Sequence, residues 1–170
     1  MIKWTLIIIF SLMTFFANAQ RFAYVNVKYI MENIPEYIEA QEKLDEISKG
    51  WQSEVESKRQ GIENLYNNFR DQEVLYTDDM RKRKQEEISM KEGELNQYRK
   101  SKFGYKGELF KKRQELVKPI QDKVFESIEK LAKEKRYDFI FDKSAGVHLL
   151  YANPGLDKSD QILKSMGYSK

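Results

Sequence analysis

The sequence predicts an α+β chain that is mostly helical: a long antiparallel α-helical coiled-coil hairpin on a small β-rich body whose strands complete a shared barrel in a homo-oligomer. Three observations lead there. From Glu36 to Arg136 the only proline is Pro119, β-branched residues are sparse, and Glu, Lys, Arg and Gln are dense. Apolar residues in that stretch recur at steps of three and four, the spacing of one helix face. The flanking segments alternate instead, as half-buried strands do.

In the first arm the stripe is Leu44, Ile47, Trp51, Val55, Ile62, Leu65 and Phe69, with Lys58 in the one skipped position. The second arm carries Ile88, Leu95, Leu109 and Leu116 in a seven-residue row that Lys102 interrupts, and Ile120, Val124, Ile128 and Leu131 continue the stripe. At about 1.5 Å per residue, an arm of roughly 40 residues is about 60 Å long, so the arms are expected to project as a rod. The turn is expected at 76–79, where Thr77 or Asp78 can accept the free N–H groups of the returning helix. Charge differs between the arms. Glu36–Tyr76 holds ten acidic and five basic residues, and Asp78–Arg136 holds 18 basic and 12 acidic. That imbalance favours pairing or is incidental to a solvated surface; exposed pairs stabilise weakly.

Two features interrupt the second arm. In Ser101–Gly107, two glycines each cost a helix about 1 kcal/mol relative to alanine. Phe103, Tyr105 and Phe110 cannot all face the partner arm. Either the helix is loosened there or these aromatics line a surface that receives something apolar. Pro119 removes one backbone donor and is expected to kink the arm or start a new segment.

The remainder divides into short pieces. Residues 1–19 read as a signal peptide: Lys3, a largely apolar run from Leu6 to Phe16, and Ala17-Asn18-Ala19 before a cut that leaves Gln20 first. An uncleaved anchor is the alternative. No cysteine follows, so neither a lipoprotein anchor nor a disulfide is available. Residues 20–35 supply a first strand, Phe22–Val27, and a turn or two of helix over Lys28–Asn33; Pro35 suits the first turn of the long helix. Residues 36–136 are the hairpin. Residues 137–170 supply a strand over Tyr137–Lys143, a turn through Gly146, a hairpin partner over Val147–Ala152, and a short helix over Asp157–Met166 capped by Asp157 or Ser159. Three strands are too few to stand alone. Phe22, Tyr24, Val25, Val27, Phe139, Ile140 and Leu149 are therefore expected at an oligomer interface.

The chemistry of most enzymes is missing from this inventory. His148 is the single histidine and there is no cysteine, which leaves no zinc site or Cys/His or Ser/His pair within one chain. The chain is not expected to be an enzyme, and no cofactor is expected. A net charge of +3 argues against a dedicated nucleic-acid binder. The run Arg81, Lys82, Arg83 and Lys84 either receives anions such as lipid phosphates or is an ordinary solvated helix start.

Taken together, the leader, the Phe22–Val27 strand running into Pro35-Glu36-Tyr37, the charged hairpin and the Tyr137–Lys143 strand resemble the Skp/OmpH family of periplasmic chaperones. Ala40-Gln41 with Trp51, Phe103-Gly104 through Leu116, Lys118–Lys123 and Leu150-Tyr151-Ala152-Asn153-Pro154 are similar to its Bacteroidetes-type branch. The resemblance implies a jellyfish-like homotrimer in the periplasm of a Gram-negative bacterium, with three hairpins around a cavity. Unfolded outer-membrane β-barrel proteins would be held there without a nucleotide. It also implies a peripheral contact with membrane or lipopolysaccharide, for which Arg81–Lys84 is the candidate. Tyr66, Phe69, Tyr98, Phe103, Tyr105 and Phe110 are the expected client contacts. A structural or adaptor coiled coil of the envelope is the competing reading.

Overall fold

The computed structural model describes residues 20–146 and 150–168. The expected leader, and Val147, His148 and Leu149 of the expected third strand, lie outside the described residues.

Strand β1 (Phe22–Val25) opens the described chain, and helix α1 (Val27–Glu32) follows after one residue. The strand is shorter than expected because Asn26 turns the backbone: its Oδ1 accepts the Tyr29 N–H at 3.0 Å, a helix cap, while its own N–H donates to Ser159 Oγ at 2.8 Å. Val27 therefore starts a helix rather than ending a strand. Pro35 takes the first position of α2 (Pro35–Gln72), where its missing N–H costs nothing. A single 3₁₀ turn, Glu73–Leu75, ends that helix. Of the two proposed caps for α3 (Asp78–Phe103), Thr77 serves, its Oγ1 accepting the Met80 N–H at 3.3 Å.

Helices α2 and α3 pack antiparallel. Glu54 meets Tyr98, Trp51 meets Phe103 and Tyr66 meets Glu92. The second arm does not loosen at its glycines; it stops. Gly104 is extended, Lys106 adopts the left-handed conformation (φ 58°), and a new helix, α4, runs from Glu108 to Lys135. Both glycines are required. A Cβ at Gly104 would lie on the Lys100 carbonyl oxygen, and one at Gly107 would lie 2.9–3.0 Å from the carbonyl oxygens of Ser101, Lys102 and Gly104.

The break also resets the helix phase. Ile88 is buried and Leu95 half-buried on one seven-residue row before it, but the buried row after it is Val117, Val124 and Leu131, one residue later than Leu109 and Leu116. A short irregular insert that shifts a heptad is a known way to re-aim an apolar stripe. Pro119, by contrast, neither starts a helix nor ends one: α4 continues through it. The carbonyl it leaves without a donor belongs to Glu115, on an exposed stretch open to water.

Helix α4 ends in a left-handed residue, Arg136 (φ 53°), with the Tyr137 N–H reaching back to the Ala132 carbonyl at 2.9 Å. Strand β2 (Phe139–Asp142) then pairs parallel with β1, Phe22 opposite Phe139 and Val25 opposite Asp142. The expected hairpin partner, Val147–Ala152, falls partly outside the described residues; of it, Leu150–Ala152 form no strand. Strand β1 reaches β2 by the long crossover that parallel pairing requires. On its other side β1 meets Asp157 through Tyr24, whose carbonyl accepts the Lys158 N–H at 2.9 Å. A 3₁₀ turn at Pro154–Leu156 and helix α5 (Ser159–Ser165) complete the chain.

The chain forms two units, one of Met1–Ile30 with Val124–Lys170 and one of Met31–Lys123. The first has its own core: Ala23, Val25, Ile30, Val124, Leu131, Ile162 and Leu163. Among the described residues its one buried polar side chain, Ser159, is satisfied on both sides, accepting from the Asn26 N–H and donating to Asp157 Oδ1 at 2.6 Å.

Candidate functional site

On the α2–α3 pair, the lysines that interrupt the two apolar stripes come to one place. The Nζ of Lys58 lies 5.3 Å, and that of Lys102 5.7 Å, from the centre of the Tyr98 ring; Lys102 also lies 4.8 Å from the Trp51 ring. Phe103 meets Trp51 edge-on at 6.1 Å. The result is an alternating stack of cations and rings crossing from one helix to the other, with the lysine stems covering the apolar seam. The Tyr98 hydroxyl donates to Glu54. Burial, and then that carboxylate, push it up to about 12. Tyr66 repeats the arrangement, donating to Glu92 at 3.1 Å, and this bond raises its pKa above the ordinary value.

The structure thus brings Tyr98 and Phe103 together and leaves the other expected contacts apart. Phe69 is half-buried against Tyr76, ring centres 6.0 Å apart. Tyr66, Phe103 and Phe110 are partly exposed, and Tyr105, at the apex of the Gly104–Gly107 turn, is 93% exposed with Lys106 beside its ring. The turn joining α2 to α3 exposes Val74 and Leu75 as well, which the periodicity had not singled out. Nearby, Arg81 holds the Tyr76 carbonyl at 3.3 Å and Asp78 at 3.7 Å, Arg83 pairs with Asp79 at 2.8 Å, and Lys84 pairs with Glu87 at 2.7 Å. Lys82 is exposed.

In the other unit the two strands present an aromatic face. Phe22 and Phe139 are opposite one another, as are Tyr24 and Phe141. The Phe139 and Phe141 rings stack at 6.2 Å. Phe22, Phe139 and Phe141 are all exposed, Phe139 by 55%. Phe22 and Phe141, with Tyr24, Tyr151 and Leu156, line a groove of about 300 Å³. Of the residues expected at an oligomer interface, Tyr24 and Val25 are 7% and 2% exposed, Tyr24 on the groove face and Val25 on the opposite one. Val27 and Ile140 are half-buried, and Leu149 is not among the described residues.

The model of the Outer membrane protein (OmpH-like) family matches residues 21–166. The chain belongs to that family. A crystal structure of an OmpH-like protein from Caulobacter crescentus CB15, described as an outer membrane chaperone, aligns with a TM-score of 0.66 at 11% identity, over 87% of this chain and 84% of that one. At that identity the likeness is one of fold. No curated protein matches the sequence.

In this OmpH-like chain the groups that sequence reasoning missed are Lys58, Lys102 and Trp51 acting together. Each was visible as an oddity in its own helix, two cations and an indole on apolar rows. Only the register between the helices reveals that they meet. No group of three or more His, Cys, Asp or Glu able to hold a metal ion occurs among the described residues.

Proposed function

We propose that this protein is an exported, ATP-independent holdase chaperone of the bacterial periplasm. It keeps unfolded outer-membrane β-barrel proteins from aggregating before insertion. The observation that carries the reading is the exposure of Tyr66, Phe103 and Phe110 on densely charged helices, and of Tyr105 in the turn between two of them. Such dispersed aromatic contacts suit many weak, exchangeable interactions with an unfolded chain better than one tight pocket. Family membership and the fold shared with the Caulobacter protein support the same reading.

The working form in this reading is a homotrimer. The exposed strand face of Phe22, Phe139 and Phe141 supplies the contact between copies, and the hairpins surround a cavity. Export follows from the leader, cut after Ala19. A contact with lipopolysaccharide through Arg81–Lys84 is the least supported part, since Arg81, Arg83 and Lys84 already have acidic partners and only Lys82 does not.

The test is dilution of a urea-unfolded outer-membrane β-barrel protein into buffer containing the mature chain, followed by light scattering. Suppression near one trimer per client is the expected result. No suppression by a well-folded oligomer would remove the holdase reading and bring the envelope spacer or adaptor forward. Changing Tyr66, Phe103, Tyr105 and Phe110 together to Ser is expected to weaken client capture about tenfold or more, about 1.4 kcal/mol. Unchanged capture would return these residues to ordinary surface.

A further inference from the structure

We infer that the mature chain begins with pyroglutamate, formed by cyclisation of Gln20. The inference rests on the export reading above, in which cleavage after Ala19 makes Gln20 the first residue. The fold takes hold one residue later. The Arg21 N–H donates to Asp138 Oδ2 at 2.8 Å, its carbonyl accepts the Asp138 N–H at 2.7 Å, and its guanidinium lies 5.9 Å from the centre of the Tyr137 ring. Strand β1 starts at Phe22. Gln20 is therefore an overhang of one exposed residue on a pinned neighbour.

That is the geometry cyclisation needs. The α-amino nitrogen attacks the side-chain Cδ, a five-membered lactam closes through the new N–Cδ bond, and the Cδ–NH₂ bond breaks to release ammonia. No oxidant, reductant or co-reactant enters. An α-amino group has a pKa of about 8, so about a tenth of it is the nucleophilic free base at neutral pH. An exposed side chain has no packing to give up when the ring closes.

The consequences are specific to this end of the sheet. The lactam removes the positive charge of the α-amino group. It also blocks aminopeptidases. Removal of Gln20 and Arg21 would delete the paired Arg21–Asp138 bonds and leave Phe22 fraying at the end of a four-residue strand.

The experiment is to express the full chain with its own leader, purify the exported protein, and measure its intact mass and its susceptibility to stepwise N-terminal degradation at the first sampling and after storage. The expected mass is that of residues 20–170 less one ammonia, complete in the first sample, with degradation blocked until a pyroglutamyl peptidase is added. The mass of residues 20–170 with an open amine, or a loss of ammonia that only grows on storage, overturns the modification and leaves the cleavage site standing. Any other starting residue overturns the cleavage site and the modification with it. A Gln20→Ser protein is expected to carry a free amine and to be trimmed by an aminopeptidase under conditions that leave the parent intact. Equal trimming of both would overturn the protective role.

Discussion

Asp157 shows how much of the small unit hangs on single side chains. One carboxylate oxygen takes the N–H and the hydroxyl of Ser159, and the other takes Lys143 Nζ at 2.7 Å. Through Ser159 the network reaches Asn26, so one acid links the residue after β2, the cap of α1 and the start of α5. Partial burial pushes the Asp157 carboxyl up, but the hydrogen bonds from Lys143 and Ser159 outweigh it and hold the group below the usual carboxylate range. A carboxyl whose pKa is lower in the folded chain than in the unfolded one stabilises the fold above its ordinary pKa of about 4; that contribution is lost as pH falls through the folded value. Melting temperature, followed by circular dichroism between pH 7 and 2.5, should therefore fall more steeply on the acid side in the parent than in Asp157→Asn. The variant should also melt lower at neutral pH. Parallel acid limbs would show that Asp157 carries none of the pH dependence. The sequence marked Asp157 and Ser159 as rival caps; the N-cap position is Lys158, which makes no side-chain cap bond, and the two instead bond to each other. The tie from Ser159 to Asn26, 133 residues earlier, is beyond the reach of any local rule.

At the scale of the helices, the glycines fall into two kinds that composition does not distinguish. Gly61 and Gly93 sit inside unbroken α2 and α3, and a Cβ on either would meet nothing within 4 Å. Gly104 and Gly107 make the turn that separates α3 from α4. Gly61→Ala and Gly93→Ala are each expected to stabilise by about 1 kcal/mol, the helix-propensity difference. Gly104→Ala is expected to destabilise by about 1–3 kcal/mol, because its Cβ would displace the Lys100 carbonyl. Urea melts of the three variants decide the matter: a stabilised Gly104→Ala would mean that α3 and α4 can run on as one helix. Periodicity made the long helices and the Thr77 turn legible. It gave Val124 and Leu131, but not Val117. The row through Leu109 and Leu116 was the natural extension of Ile88 and Leu95, and only a real interruption moves burial to Val117. Pro119 drew attention for the same local reason and proved harmless, since its unpaired carbonyl partner faces water.

For the whole molecule, the strands pose the question that packing within one chain leaves open. Parallel sheets normally have both faces covered. Here Ala23 and Val25 are buried on one face, while Phe22, Phe139 and Phe141 are exposed on the other. A polar substitution on a solvated face of a stable sheet changes stability by about 0.5 kcal/mol or less. On a face shared between copies the same change would put unpaired charge into an apolar contact and separate the subunits. The sequence made the strands themselves legible through their alternation, but not the register of β1 on β2, because the two are joined through more than a hundred residues and alternation carries no information about partners. It grouped Val25 with Phe22 and Tyr24, since a strand written alone does not say which face its own chain will cover. Phe139→Glu combined with Phe141→Glu is accordingly expected to convert a sedimenting trimer into monomers in analytical ultracentrifugation, with the circular dichroism of the long helices retained. The parent is expected to sediment as a trimer at the same concentration. A double variant that still sediments as the parent does would leave the aromatic face without a role in assembly and would move the search for the subunit contact elsewhere on the chain.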